Sequence, residues 1–75
     1  MTATQLRQRI LDMTDDVCFA YNGKDCCINP HNDKWINVGY NGIVTHCQSI
    51  DDVFDLPLFD GKALRDIVGE ITLLK

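Results

Sequence analysis

The sequence predicts an α+β fold: an N-terminal helix, a four-stranded antiparallel meander, two short helices and a C-terminal strand. Three observations carry that prediction. An apolar repeat at helical spacing opens the chain, two Asn-Gly dipeptides sit between β-favouring runs, and two cap signals precede short apolar stripes further on. The 75 residues make one domain, 1–75. That length excludes a doubly wound two-domain enzyme and a (β/α)₈ barrel. A hydrophobic content of 45% with 24% charged residues is that of a folded domain, not of a disordered chain.

Thr2-Ala3-Thr4-Gln5 fits a capping box, in which a Thr hydroxyl and a Gln three residues later satisfy each other's backbone N–H groups. Ala3, Leu6, Ile10 and Met13 then recur at helical spacing. Residues 3 to about 13 read as one amphipathic helix, which Thr14-Asp15-Asp16 ends. Val17–Tyr21 and Lys24–Ile28 flank Asn22-Gly23, and Trp35–Tyr40 and Ile43–Gln48 flank Asn41-Gly42. Asn-Gly is the strongest short hairpin signal because both residues of the favoured turn need positive φ. Residues 29–34, which include Pro30, read as the linker between the two hairpins.

Two-residue turns set the pairing, and the pairing sets the faces. Tyr21 opposes Lys24, Phe19 opposes Cys26 and Val17 opposes Ile28; Tyr40 opposes Ile43, Val38 opposes Thr45 and Ile36 opposes Cys47. These six pairs share one face, rich in Val, Ile, Phe and Tyr, which is the expected core. The other face holds Cys18, Ala20, Asp25, Cys27, Trp35, Asn37, Gly39, Val44, His46 and Gln48.

Ser49-Ile50-Asp51-Asp52 reads as a helix start with acids in its first turn. Ile50, Val53 and Phe54 form its apolar stripe, and Leu56-Pro57 stops it because a residue before proline avoids the α region. Asp60 is expected to cap a second short helix from Gly61 to about Val68, with Gly69 at its end. Residues 70–74 read as a last strand pairing at a sheet edge, or as further helix if Gly69 is accommodated within it, with the helices covering the core face.

The Tyr-Asn-Gly-Lys turn at 21–24, the Ser49–Asp52 helix start and the segment Phe59-Asp60-Gly61-Lys62-Ala63-Leu64-Arg65-Asp66-Ile67 resemble a group of small proteins of Firmicutes and their phages. This chain departs from that group in Ala63, where Ser is expected, and in its four cysteines. The resemblance implies an α+β fold and a bacterial or phage origin. Its motifs are turns and caps, and it implies no activity.

Seven Lys and Arg against eleven Asp and Glu give a net charge of −4. Residues 15–61 alone carry −6, eight Asp against Lys24 and Lys34. Without a basic stripe, nucleic acid is not an expected partner. The N-terminus lacks the basic-then-apolar run of a signal peptide, and the longest apolar stretch, Val17–Tyr21, is too short to span a membrane. A cytoplasmic chain without membrane contact is therefore expected, and its four cysteines are expected as free thiols, with Cys26 and Cys47 as small core hydrophobes.

Cys18 and Cys27 nevertheless oppose each other at a non-hydrogen-bonded pair, where Cα atoms approach to about 4.5 Å, within reach of a disulfide. The residue types of Cys18, Cys27, His31 and His46 also suit zinc, and three of them share the outer face. Adjacent strand residues diverge, so Cys26-Cys27 is no Cys-x-x-Cys pair. Cys27 and His46 could form a thiolate–imidazole pair oriented by Asp25, but no local signature supports it, and the paired acids Asp15-Asp16 and Asp51-Asp52 read as helix-terminal residues rather than a catalytic dyad. Asp60-Gly61-Lys62 lacks the rest of a phosphate loop. The leading expectation is a non-enzymatic module without a cofactor. It would bind a protein, or a second copy as a homodimer, through an outer-face patch of Trp35, Asn37, Val44, His46 and Gln48, because Trp is favoured at binding hot spots. The alternative is a metal- or redox-responsive domain built on Cys18, Cys27, His31 and His46.

Overall fold

The computed structural model describes residues 2–12, 16–32 and 34–74. Helix α1, Ala3–Leu11, opens with the full capping box: Gln5 N–H donates to Thr2 Oγ1 and Thr2 N–H donates to Gln5 Oε1. Met13, Thr14 and Asp15, expected to finish this helix, lie outside the described residues. Strands β1 (Val17–Tyr21), β2 (Lys24–Asn32), β3 (Trp35–Tyr40) and β4 (Ile43–Cys47) follow, then α2 (Ile50–Asp55), α3 (Leu64–Ile67), a 3₁₀ turn at Val68–Glu70 and β5 (Thr72–Leu73). The strands form one antiparallel sheet in the order β4-β3-β2-β1-β5. This is the expected α+β architecture.

Both hairpins pair in the register that the Asn-Gly turns predict, from Val17↔Ile28 to Tyr21↔Lys24 and from Ile36↔Cys47 to Tyr40↔Ile43. Asn22 (φ 54°) with Gly23 (φ 76°), and Asn41 (φ 52°) with Gly42 (φ 83°), occupy the left-handed region that such turns require. Val17, Phe19, Tyr21, Cys26, Ile28, Ile36, Val38, Tyr40 and Cys47 are buried on the predicted core face. They pack against Leu6 and Ile10 of α1, Val53 and Phe54 of α2, and Leu64 and Ile67 of α3. Lys24 and Thr45 are only half-buried on that face, and Ile43 is 69% exposed. β4 is an edge strand, and Ile43 and Thr45 line an open groove of about 240 Å³ with Val38, Tyr40, Leu58 and Asp60.

The expected linker is mostly strand. β2 runs through Pro30 to Asn32 and pairs with β3 as far as Asn32↔Trp35, with a bulge between Pro30 and Asn32. Among the described residues β1 pairs β2 as far as Val17↔Ile28, two positions short of Pro30. Strand alternation turns the nitrogen of Pro30 away from β3, so no β2–β3 ladder bond is lost.

Asp60 does not cap a helix. It sits at φ 57° before Gly61 at φ 83°, in a third tight turn closed by Phe59 N–H to Lys62 O (3.0 Å) and Lys62 N–H to Phe59 O (3.1 Å). α3 therefore starts later than expected, at Leu64 after Ala63, and stops at Ile67. The Asp60 carboxylate accepts hydrogen bonds from Asn22 Nδ2 (3.0 Å), Lys24 Nζ (3.1 Å) and Tyr40 OH (2.8 Å). Phe59 beside it packs on Phe19 and Tyr40, with ring centroids 5.9 and 5.2 Å apart. One side chain thus ties the third turn to both hairpins.

The final strand is shorter than expected. Thr72 pairs with Ala20 and Leu73 with Phe19, and Leu74 N–H donates to Cys18 O. Glu70 belongs to the 3₁₀ turn instead.

The hydrogen bond from Asn22, with those from Tyr40 and Lys24, holds the Asp60 carboxyl down at about 2 from the ordinary 3.8. A depressed carboxyl contributes stability above its unfolded value and loses it as pH falls through its folded one. The wild-type denaturant midpoint is therefore expected to drop between pH about 4 and about 2. Asp60→Asn should start lower at neutral pH and show a shallower acid limb; an unchanged limb would remove Asp60 from this role.

Candidate functional site

The three helices all pack on one face of the sheet, and among the described residues no element covers the other. Strand pairing lines up one row across this open face: Leu74 beside Cys18, then Cys27, Gly39 and Val44. Cys18 and Cys27 are joined as a disulfide, with Cα atoms 4.1 Å apart. The row is apolar throughout, with Leu74 48% and Val44 61% exposed at its ends. Gly39 leaves a notch in its middle, where an added Cβ would meet only Cys27 O at 3.8 Å and Val44 Cγ2 at 3.9 Å.

The next row holds Asn29, Asn37 and His46. Asn37 is its hub. Trp35 Nε1–H donates to Asn37 Oδ1 (3.1 Å), His46 Nδ1 meets the same oxygen, and Asn37 Nδ2 lies 3.2 Å from His31 Nε2. The indole N–H can only donate, so it assigns the amide orientation. Asn37 Oδ1 then takes the proton of His46 Nδ1, and Asn37 Nδ2–H donates to an unprotonated His31 Nε2. The Trp35 and His46 rings lie 5.3 Å apart, tilted against each other. With Lys34, Cys47 and Gln48 they line a depression of about 490 Å³.

Of the five patch residues, Trp35, Asn37 and His46 form one bonded cluster and Gln48 joins them in the depression wall. Val44 stands apart, in the apolar row beside Gly39. His31 enters the cluster because the β2 bulge carries it alongside the sheet, a placement that reading residues 29–34 as a linker missed. Leu74 was missed because its place depends on β5 pairing with β1. Asp-Gly at 60–61 carried the same turn signal as Asn-Gly, and the helical pattern after it obscured that signal.

The four residues of the alternative metal set do not come together. Cys18 and Cys27 are bonded to each other, and His31 and His46 meet Asn37 from either side. Among the described residues no three His, Cys, Asp or Glu side chains converge on one point. Cys27 likewise offers His46 no thiolate. The free thiols expected at 18 and 27 are thus replaced by a bond, because the register places the two side chains opposite each other. Cys26 and Cys47 are free and buried, as expected. Burial pushes the Cys26 thiol up to about 12 and raises that of Cys47 as well, with Asp52 adding to the latter. Both thiols are shielded from solvent in the folded state.

No helix among the described residues is long and apolar enough to cross a membrane. Compared with known proteins, the chain matches no family model, no curated protein and no solved structure.

The two cysteine classes are separable by thiol counting. Native protein is expected to leave Cys26 and Cys47 unlabelled, and denaturation without reductant to expose those two alone. Reducing the Cys18–Cys27 bond should lower unfolding stability by about 2.5 kcal/mol, the loop-closure value for a ring of this size. Four reactive thiols in denatured, unreduced protein would show that the bond does not form.

Proposed function

We propose that this chain is a non-enzymatic interaction module that binds a protein through the open face of its sheet. The observation that carries the reading is the uncovered apolar row of Leu74, the Cys18–Cys27 bond, Gly39 and Val44 lying beside the Trp35–Asn37–His46 cluster. A sheet face with its core on one side normally turns polar residues to water on the other. Here the water side is apolar at its centre, with a half-exposed Trp at its margin. Three features favour Trp35 as the anchor. Its indole is already oriented by Asn37 and backed by His46, so little side-chain entropy is lost on binding. Lys34 and Gln48 give the depression beside it a polar rim. The likeness of the turn segments to small proteins of Firmicutes and their phages supports a bacterial or phage partner.

Partners recovered from a host extract and measured by calorimetry test the reading. Trp35→Ala should weaken a face-bound partner by about 30-fold, the cost of a hot-spot residue. Asp66→Ala, on the exposed side of α3, should leave it unchanged. If the double variant Trp35→Ala/His46→Ala keeps full affinity for every partner, the open face is not the binding surface.

A further inference from the structure

We propose that strand β4 is a self-pairing edge, along which two copies of this chain join their sheets antiparallel about a two-fold axis at Thr45. This goes beyond face binding, because it uses the backbone of an edge rather than the side chains of a face.

The two edges of the sheet differ. β5 is two residues long, which blunts that edge, whereas β4 presents five consecutive residues, Ile43-Val44-Thr45-His46-Cys47. β4 has none of the usual protections: no Lys, no Pro, and a pairing with β3 free of any bulge. Ile43 (69% exposed) and Val44 (61%) are the most exposed large apolar side chains among the described residues, one on each face of this strand.

Charge points to a second copy as the occupant. The chain carries −4 and so repels itself in general. Residues 35–50, which span β3 and β4, contain no Asp, Glu, Lys or Arg. This is the longest stretch of the chain free of charged residues, and Asp60, which lines the groove beside Ile43 and Thr45, is paired with Lys24; Asp52 lies near Cys47 at the strand's other end.

The register completes the argument. A two-residue turn closes on a hydrogen-bonded pair, so Ile43, Thr45 and Cys47 direct their backbone groups to β3, while Val44 and His46 direct theirs outward. β1 behaves the same way at the other side of its hairpin, where outward-facing Cys18 O accepts from Leu74 N–H. An axis at Thr45 places Val44 opposite His46 of the second copy, twice, and satisfies all four outward N–H and C=O groups in each pair's ring. It also seats exposed Val44 against the His46–Trp35 wall of the other copy's depression. Ile43 falls opposite Cys47 of the second copy. Five-residue strands bury little area, so the dimer is reversible, with dissociation in the micromolar range.

The axis makes position 45 face itself. Thr45→Lys and Thr45→Glu each place like charges directly opposite one another, and an equimolar mixture places opposite charges there. Sedimentation and native mass spectrometry from about 1 μM to about 1 mM are expected to show a wild-type dimer. Each single variant should weaken it by about tenfold or more, and the mixture should recover it as a heterodimer. Ile43→Lys, at an exposed position where folding is not at risk, should weaken it in the same way. A wild type that stays monomeric across the range overturns the proposal, as does a dimer indifferent to both Thr45 variants and to Ile43→Lys. A dimer lost only in Trp35→Ala would place the second copy on the open face instead, leaving face binding intact and refuting edge pairing.

Discussion

The two faces of the sheet follow from the handedness of its two-residue turns. Asn22-Gly23, Asn41-Gly42 and Asp60-Gly61 all adopt positive φ at both positions, the conformation whose twist matches that of paired strands. A turn of two residues permits one register, and a strand has a period of two. Each of the two hairpin turns therefore decides which face of the sheet every flanking side chain joins. A slip of one residue would turn Phe19, Ile28, Ile36 and Val38 outward and leave α1, α2 and α3 nothing to cover.

The third turn also connects the other two. Asp60 reaches Asn22 and Lys24 at the first turn and Tyr40 at the second, so one carboxylate gathers all three at the same end of the sheet. Tyr40 is pushed up to about 12, first by burial and then by the adjacent Asp60, so it remains the neutral donor this contact needs. Phe59, carried by the same turn, fills the core between Phe19 and Tyr40.

One-sided burial leaves a small domain with two kinds of unfinished surface. The open face has an apolar row with a bonded Trp cluster beside it, and the β4 edge has unpaired backbone with apolar side chains on both sides. The two meet at Val44 and His46, which belong to the face by their side chains and to the edge by their backbone. A partner on one surface would therefore touch residues of the other. The disulfide lies at the centre of the face and joins β1 to β2 there, so it ties the middle of the sheet, away from the β4 edge.

The sequence by itself determined what local rules govern. Caps at Thr2 and Ser49, the two Asn-Gly hairpins, their registers, the core face and the opposition of Cys18 to Cys27 were all legible, because each depends on residues within one turn or one hairpin. Trp35, Asn37 and His46 were legible as neighbours on one face by strand alternation alone. What only the tertiary structure decided depends on contacts between distant segments. Pro30 reads as a linker until its pairing with Ile36 shows that it lies in β2 with its nitrogen turned away from β3. Asp60 reads as a helix cap until Asn22, Lys24 and Tyr40 supply its partners from 20 to 38 residues away. Ile43 reads as core until β4 proves to be an edge strand whose Ile43 end lies at an open groove. In each case the local signal is sound, and its meaning is set by which neighbour the fold brings beside it.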